Sequence, residues 1–388
     1  MAAPVLERKR AWVRLYPLLA GALDALAGDA RAQALQRLAH LASEELRRPA
    51  DAWRWFAQAF HEAPAATAPR EALEAHAATT GAFAELAEAY TRALEGSEDP
   101  ALIKRLGHRT ADLAAGRLKR PDEAERLWCL ILDQADPADR ASLDGLRRLW
   151  NAAGRHVELA ERLDAASAVE GLADERRVPL ILEAGEAWAE AQRTAEAIAR
   201  FEAVVAEVPD HPRALARLET LRDRAGDRAG LLEVLARRAP QAPRDADLRI
   251  RAARLATELD RVEEAIGWWQ AALDLGAEER TALEALEPLY LRAERWAPLA
   301  EVCERRRSLA RDEQAIVRLD RRLGELYAER LDRPADALAA WASVLRRRPD
   351  DVPALWAARA AHAAVGDFGG RAQVERRLLD LLPADHPR

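Results

Sequence analysis

Arg333-Pro334-Ala335-Asp336-Ala337-Leu338-Ala339-Ala340-Trp341 decides how this chain folds, because its pattern occurs five times. The other copies open Arg48-Pro49-Ala50-Asp51-Ala52, Arg120-Pro121-Asp122-Glu123-Ala124, Arg193-Thr194-Ala195-Glu196-Ala197 and Arg261-Val262-Glu263-Glu264-Ala265. Their closing alanines are 72, 73, 68 and 72 residues apart. Four residues after each stands a large ring: Phe56, Trp128, Phe201, Trp269 and Trp341. Positions i and i+4 share a helix face. The alanine lets a neighbouring backbone come close, and the ring fills the groove beside it. Proline in three copies suits a first helical turn, where its missing N–H costs nothing. Acidic residues in that turn complement the helix dipole.

A second landmark follows each of these segments. It reads Gly81-Ala82-Phe83-Ala84-Glu85-Leu86, then Gly154-Arg155-His156-Val157-Glu158-Leu159, then Gly226-Asp227-Arg228-Ala229-Gly230-Leu231. The fourth copy, Glu294-Arg295-Trp296-Ala297-Pro298-Leu299, lacks the glycine, and the fifth, Gly366-Asp367-Phe368, then diverges. The glycine is expected to end a helix in the left-handed conformation. The next helix starts at once and turns its leucine inward. Each repeat therefore holds two helical hairpins, and about 21 helices are expected in all. The boundaries are 1–29 for an N-terminal half-unit or cap, then 30–100, 101–172, 173–243, 244–312 and 313–388 for units one to five. Trp12 and Leu15 match Trp296 and Leu299, so the chain opens in mid-unit, as a cap or as a piece of a longer array. The last helix, around 373–382, is expected to cap the C-terminal end.

Within the first hairpin of a unit the order is alanine, ring, small or branched residue, proline. Ala52, Phe56, Ala59 and Pro64 follow it, as do Ala197, Phe201, Val204 and Pro209, and Ala337, Trp341, Val344 and Pro349. The preceding helix carries Gly185 and Trp188 in unit three and Gly324 and Tyr327 in unit five. This pattern resembles the tetratricopeptide repeat over roughly residues 30–382, strongly in first hairpins and more loosely in second ones. The paired arrangement looks like arrays from large bacterial genomes. The resemblance implies an all-α, right-handed α-solenoid of stacked antiparallel hairpins. It also implies a non-catalytic protein–protein interaction scaffold that binds a peptide or partner helix in its concave groove.

Composition agrees with helix and against other classes. The chain has 388 residues, 49% hydrophobic, 32% charged and only 5% aromatic. Alanine, leucine, arginine and glutamate all favour helix, while a large sheet would need more β-branched and aromatic residues. The 56 arginines against 3 lysines are read as a coding bias of a GC-rich genome. A net charge of −7 and a pI near 5.8 speak against general nucleic-acid binding. No apolar run is long enough for a membrane span. Met1 to Ala27, with Arg8, Lys9 and Arg10, reads as a helix rather than a signal peptide. Cys129 and Cys303 sit in apolar helical surroundings and are expected to be buried thiols, which fits a reducing, cytoplasmic setting.

No catalytic, cofactor or metal motif emerges. There is no P-loop, no His-Glu-x-x-His and no Gly-x-Ser-x-Gly. His40 with Glu44 and His108 with Asp112 stand four apart, and two ligands do not make a metal site. They are expected to be solvated pairs. Of the eleven tryptophans, Trp128, Trp150, Trp188, Trp269, Trp341 and Trp356 are expected in the core, while Trp12, Trp55 and Trp268 are less constrained. In the resembling family the first helix of each hairpin lines the groove. Mapped onto this chain, that stripe holds His40, Glu44, Asp112, Glu186, Glu190, Arg254, Glu258, Glu325 and Glu329. Gln36, His108, Leu182, Ile250 and Arg321 lie deeper. A mostly acidic groove favours a basic or amphipathic peptide. The alternatives are an RNA-binding helical repeat, which would need a basic stripe, and the regulatory repeat region of a larger signalling protein.

Overall fold

The computed structural model describes residues 6–8 and 10–381. Among the described residues every regular element is helical. Two compact halves are distinguished, Met1–Glu207 and Val208–Arg388. The first contains α1 (Trp12–Ala22), α2 (Gly28–His40), α3 (Pro49–Glu62), α4 (Thr67–Thr80), α5 (Phe83–Leu94) and α6 (Pro100–Asp112). It continues through α7 (Pro121–Gln134), α8 (Arg140–Ala153), α9 (His156–Ser167), α10 (Asp174–Glu190) and α11 (Thr194–Glu207). The second contains α12 (Pro212–Ala225), α13 (Arg228–Arg238), α14 (Ala246–Glu258), α15 (Val262–Asp274) and α16 (Glu279–Arg292). Its remaining helices are α17 (Trp296–Leu309), α18 (Glu313–Glu325), α19 (Pro334–Arg347), α20 (Val352–Val365) and α21 (Phe368–Leu381). Within each half every helix packs on the next in the chain, as stacked hairpins must if no hairpin can bury its apolar stripe alone.

The repeated alanines and rings form the core. Ala52, Ala124, Ala197, Ala265 and Ala337 are all fully covered, and Phe56, Trp128, Phe201, Trp269 and Trp341 are all buried. Glycine on the preceding helix meets the ring directly. A Cβ on Gly185 would lie 3.0 Å from the Phe201 ring, and one on Gly324 would strike the Trp341 indole.

Two kinds of joint connect the helices. Gly81, Gly154, Gly226 and Gly366 end their helices with φ of 78°, 71°, 71° and 74°, the left-handed cap expected of them. Glu294 adopts the same conformation, at φ 53°, without being glycine. In first hairpins the left-handed residue stands just before the repeated arginine: Arg47, Lys119, Gln192, Asp260 and Asp332. The arginine then pairs with the acidic residue three positions on: Arg48–Asp51, Arg120–Glu123, Arg193–Glu196, Arg261–Glu264 and Arg333–Asp336.

Units one, two and five carry one residue more at this joint. It is absorbed in the π turns Leu41–Glu45, Leu113–Leu118 and Leu326–Arg330. There the N–H groups of Arg48, Arg120 and Arg333 reach six residues back, to Ala42, Ala114 and Tyr327. Arg193 and Arg261 reach only five back, to Trp188 and Ala256. The π turn thus keeps Glu325 of unit five in the same phase as Glu186 of unit three.

Some expectations are revised. Trp356, expected in the core, is 42% exposed, because it lies on the outer face of α20. Trp55 is buried and its indole N–H donates to Tyr16 Oη at 2.8 Å. Cys303 is buried, whereas Cys129 is only half-buried. The N-terminal segment is helical over Trp12–Ala22 and ends in a 3-10 turn, Leu23–Ala25. Residues 1–5 and Lys9 of that segment lie outside the described residues, as does Leu382 of the expected final helix. The last described helix starts earlier than 373, at Phe368. Among the described residues no helix is long and apolar enough to cross a membrane.

Candidate functional site

The candidate face is built from the outward side of the first helix of each hairpin. In the first half, His40 and Glu44 are both exposed, with His40 Nδ1 3.3 Å from Glu44 Oε1. The π turn carries Glu44 outward, and the His40 ring stands edge-on to the buried Phe56. Gln36 is half-buried. His108 does not pair with Asp112, contrary to its sequence spacing. Its Nε2 lies 3.0 Å from Asp139 Oδ2, the N-cap of α8, and Asp112 is exposed with no ion pair. Lys104, one turn before His108, contacts Asp139 and Asp136, each at 2.8 Å. Glu186 is half-buried and Glu190 exposed, while Leu182 is buried in the packed layer rather than open as a groove floor.

In the second half, Arg254 and Glu258 are occupied. Arg254 Nη2 lies 3.2 Å from Glu278 Oε2, and Glu258 Oε2 lies 2.8 Å from Arg228 Nη1. Ile250 is buried, like Leu182. Arg321 pairs with Asp351, the N-cap of α20. Glu325 and Glu329 are exposed and have no ion-pair partner, the latter carried on a π turn as Glu44 is.

Arginines of neighbouring first helices pair with carboxylates that are not members of the expected stripe. Arg109 of α6 reaches Glu74 of α4 at 2.5 Å. Arg140 and Arg147 of α8 reach Glu183 of α10 at 2.8 and 3.4 Å. Arg251 of α14 reaches Glu219 of α12 at 2.6 Å. None of these pairs is close in sequence, and only the shared phase of the repeats brings them together. Exposed acidity remains at Asp112 and Glu190 in the first half and at Glu325 and Glu329 in the second.

Titration of the face centres on Asp139. Burial raises its pKa, but the Lys104 ammonium, the Ser142 N–H and hydroxyl, and His108 outweigh burial, so it lies below the usual carboxylate range. Lys104 is correspondingly raised by Asp136 and Asp139. Among the described residues no group of three or more His, Cys, Asp or Glu could hold a metal ion. The structure also has clefts away from this face. One, of about 680 Å³, opens between α5 and α7. Others of about 390 and 350 Å³ lie between α3 and α5 and beside the start of α18.

No known family profile matches the chain, and no curated relative does. Solved structures that resemble it are remote. A structure of Naa15/Naa10 bound to HypK-THB covers 99% of this chain and 63% of its own, at 13% identity and TM-score 0.37. YrrB, described as a TPR protein with an unusual peptide-binding site, covers 48% of this chain and 93% of its own, at 16% identity and TM-score 0.29. MamA covers 43% and 89%, at 12% identity and TM-score 0.28. Likenesses this remote transfer no partner and no activity, and the architecture stands on the repeats and packing of the chain itself. On those grounds the chain builds stacked antiparallel helical hairpins, and its repeat resembles the tetratricopeptide repeat.

Proposed function

We propose that this protein is a non-catalytic protein–protein interaction scaffold whose first-helix faces hold a basic or amphipathic peptide, or a partner helix. The supporting observation is the residual acidity. Asp112, Glu190, Glu325 and Glu329 are exposed and without ion pairs, at recurring phases of the repeat, while Glu74, Glu183 and Glu219 of other first-helix positions are matched by arginine. Such charges steer and orient a basic partner more than they add raw affinity. The five repeat units, 30–100 to 313–388, are proposed as the modules of this scaffold. The unpaired thiols of Cys129 and Cys303 fit a reducing, cytoplasmic setting.

The test is capture from native lysate by the wild type and by a variant combining Glu190→Lys, Glu325→Lys and Glu329→Lys. Circular dichroism first establishes that the variant is folded. The proposal expects a protein retained by the wild type and lost by the variant. Equal retention by both, or recovery of RNA instead of protein, overturns it.

A further inference from the structure

We propose a second docking site, the cleft between α5 and α7, which takes a linear segment presenting a lysine or arginine beside an aliphatic residue. It lies on the second helices of two successive hairpins, not on the first-helix face. Its floor is apolar, formed by Leu94, Ile103, Leu127 and Leu130. Its rim is acidic. Glu95 and Glu98, on the loop joining α5 to α6, are both exposed and have no ion-pair partner. No cationic residue lines the cleft.

Two further features point the same way. Helices α5 and α7 both end at this cleft, at Leu94 and Gln134, so both bring the negative end of the helix dipole to it. The Thr91 hydroxyl, on the cleft wall, is covered and has no hydrogen-bond partner. Two carboxylates, two helix C-termini and an idle hydroxyl surround an aliphatic floor. An ammonium or guanidinium on an aliphatic stem matches that surface, its stem on the floor and its charge at the rim. At about 680 Å³ the cleft accommodates such a side chain together with an aliphatic neighbour.

The loop geometry holds the rim in place. Gly96 takes φ 75°, a left-handed turn, and the Ser97 N–H returns to Leu94 O at 3.1 Å. Asp99 is not available to the ligand, because its side chain caps α6 by accepting from Ala101 N.

A displayed library of random heptapeptides, selected on the full chain, tests this. Sequences pairing Lys or Arg with an aliphatic neighbour are expected to be enriched on the wild type. Enrichment should fall at least tenfold on the double variant Glu95→Gln, Glu98→Gln, which changes charge and not shape. It should also vanish on Leu130→Lys, a half-exposed position where an ammonium occupies the cleft itself. The first-helix variant Glu190→Lys, Glu325→Lys, Glu329→Lys should leave it unchanged. Loss on that variant instead would move the peptide to the first-helix face and overturn the cleft. Equal enrichment on wild type and cleft variants, enrichment of acidic sequences, or no enrichment at all would overturn it as well.

Discussion

Gly145 of α8 lies against the indole of Trp128 of α7 so closely that a Cβ on the glycine would stand 2.5 Å from the ring. The ring cannot swing away, because Trp128 is buried. Gly145→Ala therefore forces the two helices apart. Overpacking of this kind costs about 1–3 kcal/mol. Urea unfolding should show that loss, while an alanine at Gly267, with nothing within 4 Å of its Cβ, should be neutral or slightly stabilising.

Glu294 occupies a left-handed position that four equivalent joints give to glycine. A side chain there costs roughly 1 kcal/mol, offset in part by the greater freedom of glycine in the unfolded chain. Glu294→Gly should raise the melting temperature, and Gly154→Ala should lower it. Thermal unfolding followed by circular dichroism reads both. Equal effects of the same sign would mean that the joint conformation carries no cost.

Asp139 gives the fold a defined response to acid. Its folded pKa lies below its unfolded value of about 3.9, so the unfolded chain binds the proton first. Its contribution is present above about pH 4 and is lost as pH falls through the lower, folded value. Asp139→Asn keeps an acceptor for the N-cap bond to Ser142 but removes the charge seen by Lys104 and His108. The variant should be less stable near neutrality, with stability depending less on pH below about pH 4. Parallel curves for the two proteins would exclude this account.

Asp320 is fully buried between three groups from two neighbouring helices. Arg307 Nε lies 2.5 Å away, Ser343 Oγ donates to it at 2.6 Å, and Arg347 Nη1 lies 3.8 Å away. Asp320→Ala should cost about 1–3 kcal/mol, because the Ser343 hydroxyl and two partly exposed guanidinium groups lose their buried acceptor. Ser343→Ala should cost nearer 1 kcal/mol, the usual worth of one hydrogen bond. A double-mutant cycle between positions 320 and 343 should show coupling, and simple additivity would contradict the network.

The sequence discloses those features that a single helix can express. The pairing of Ala52 with Phe56, and of its four counterparts, is a spacing along one helix, and every one of these residues is in the core. The glycine joints are equally local, since one residue type tolerates the required φ. The match of Glu183 to Arg140 and Arg147 is not local, for it depends on two hairpins being stacked in register. For the same reason His108 reads as a partner of Asp112 in sequence and meets Asp139 in space. The π turns escape sequence inspection too, because Ala42–Arg48 and Trp188–Arg193 look like equivalent stretches that differ only by one residue.

Those π turns bear on how such a chain can be rebuilt. A one-residue insertion in an ordinary helix rotates everything beyond it by about 100° and would turn a buried face outward. Here the extra residue is contained within a single turn, and in long and short joints alike the carbonyl of the arginine that follows accepts from the alanine four residues on, with the same ion pair. Every repeat thus begins from a common start point at that arginine, whatever the length of the joint before it. Repeats of either kind can be cut and rejoined there as interchangeable cassettes, with the spacing error of one part never passed on to the next.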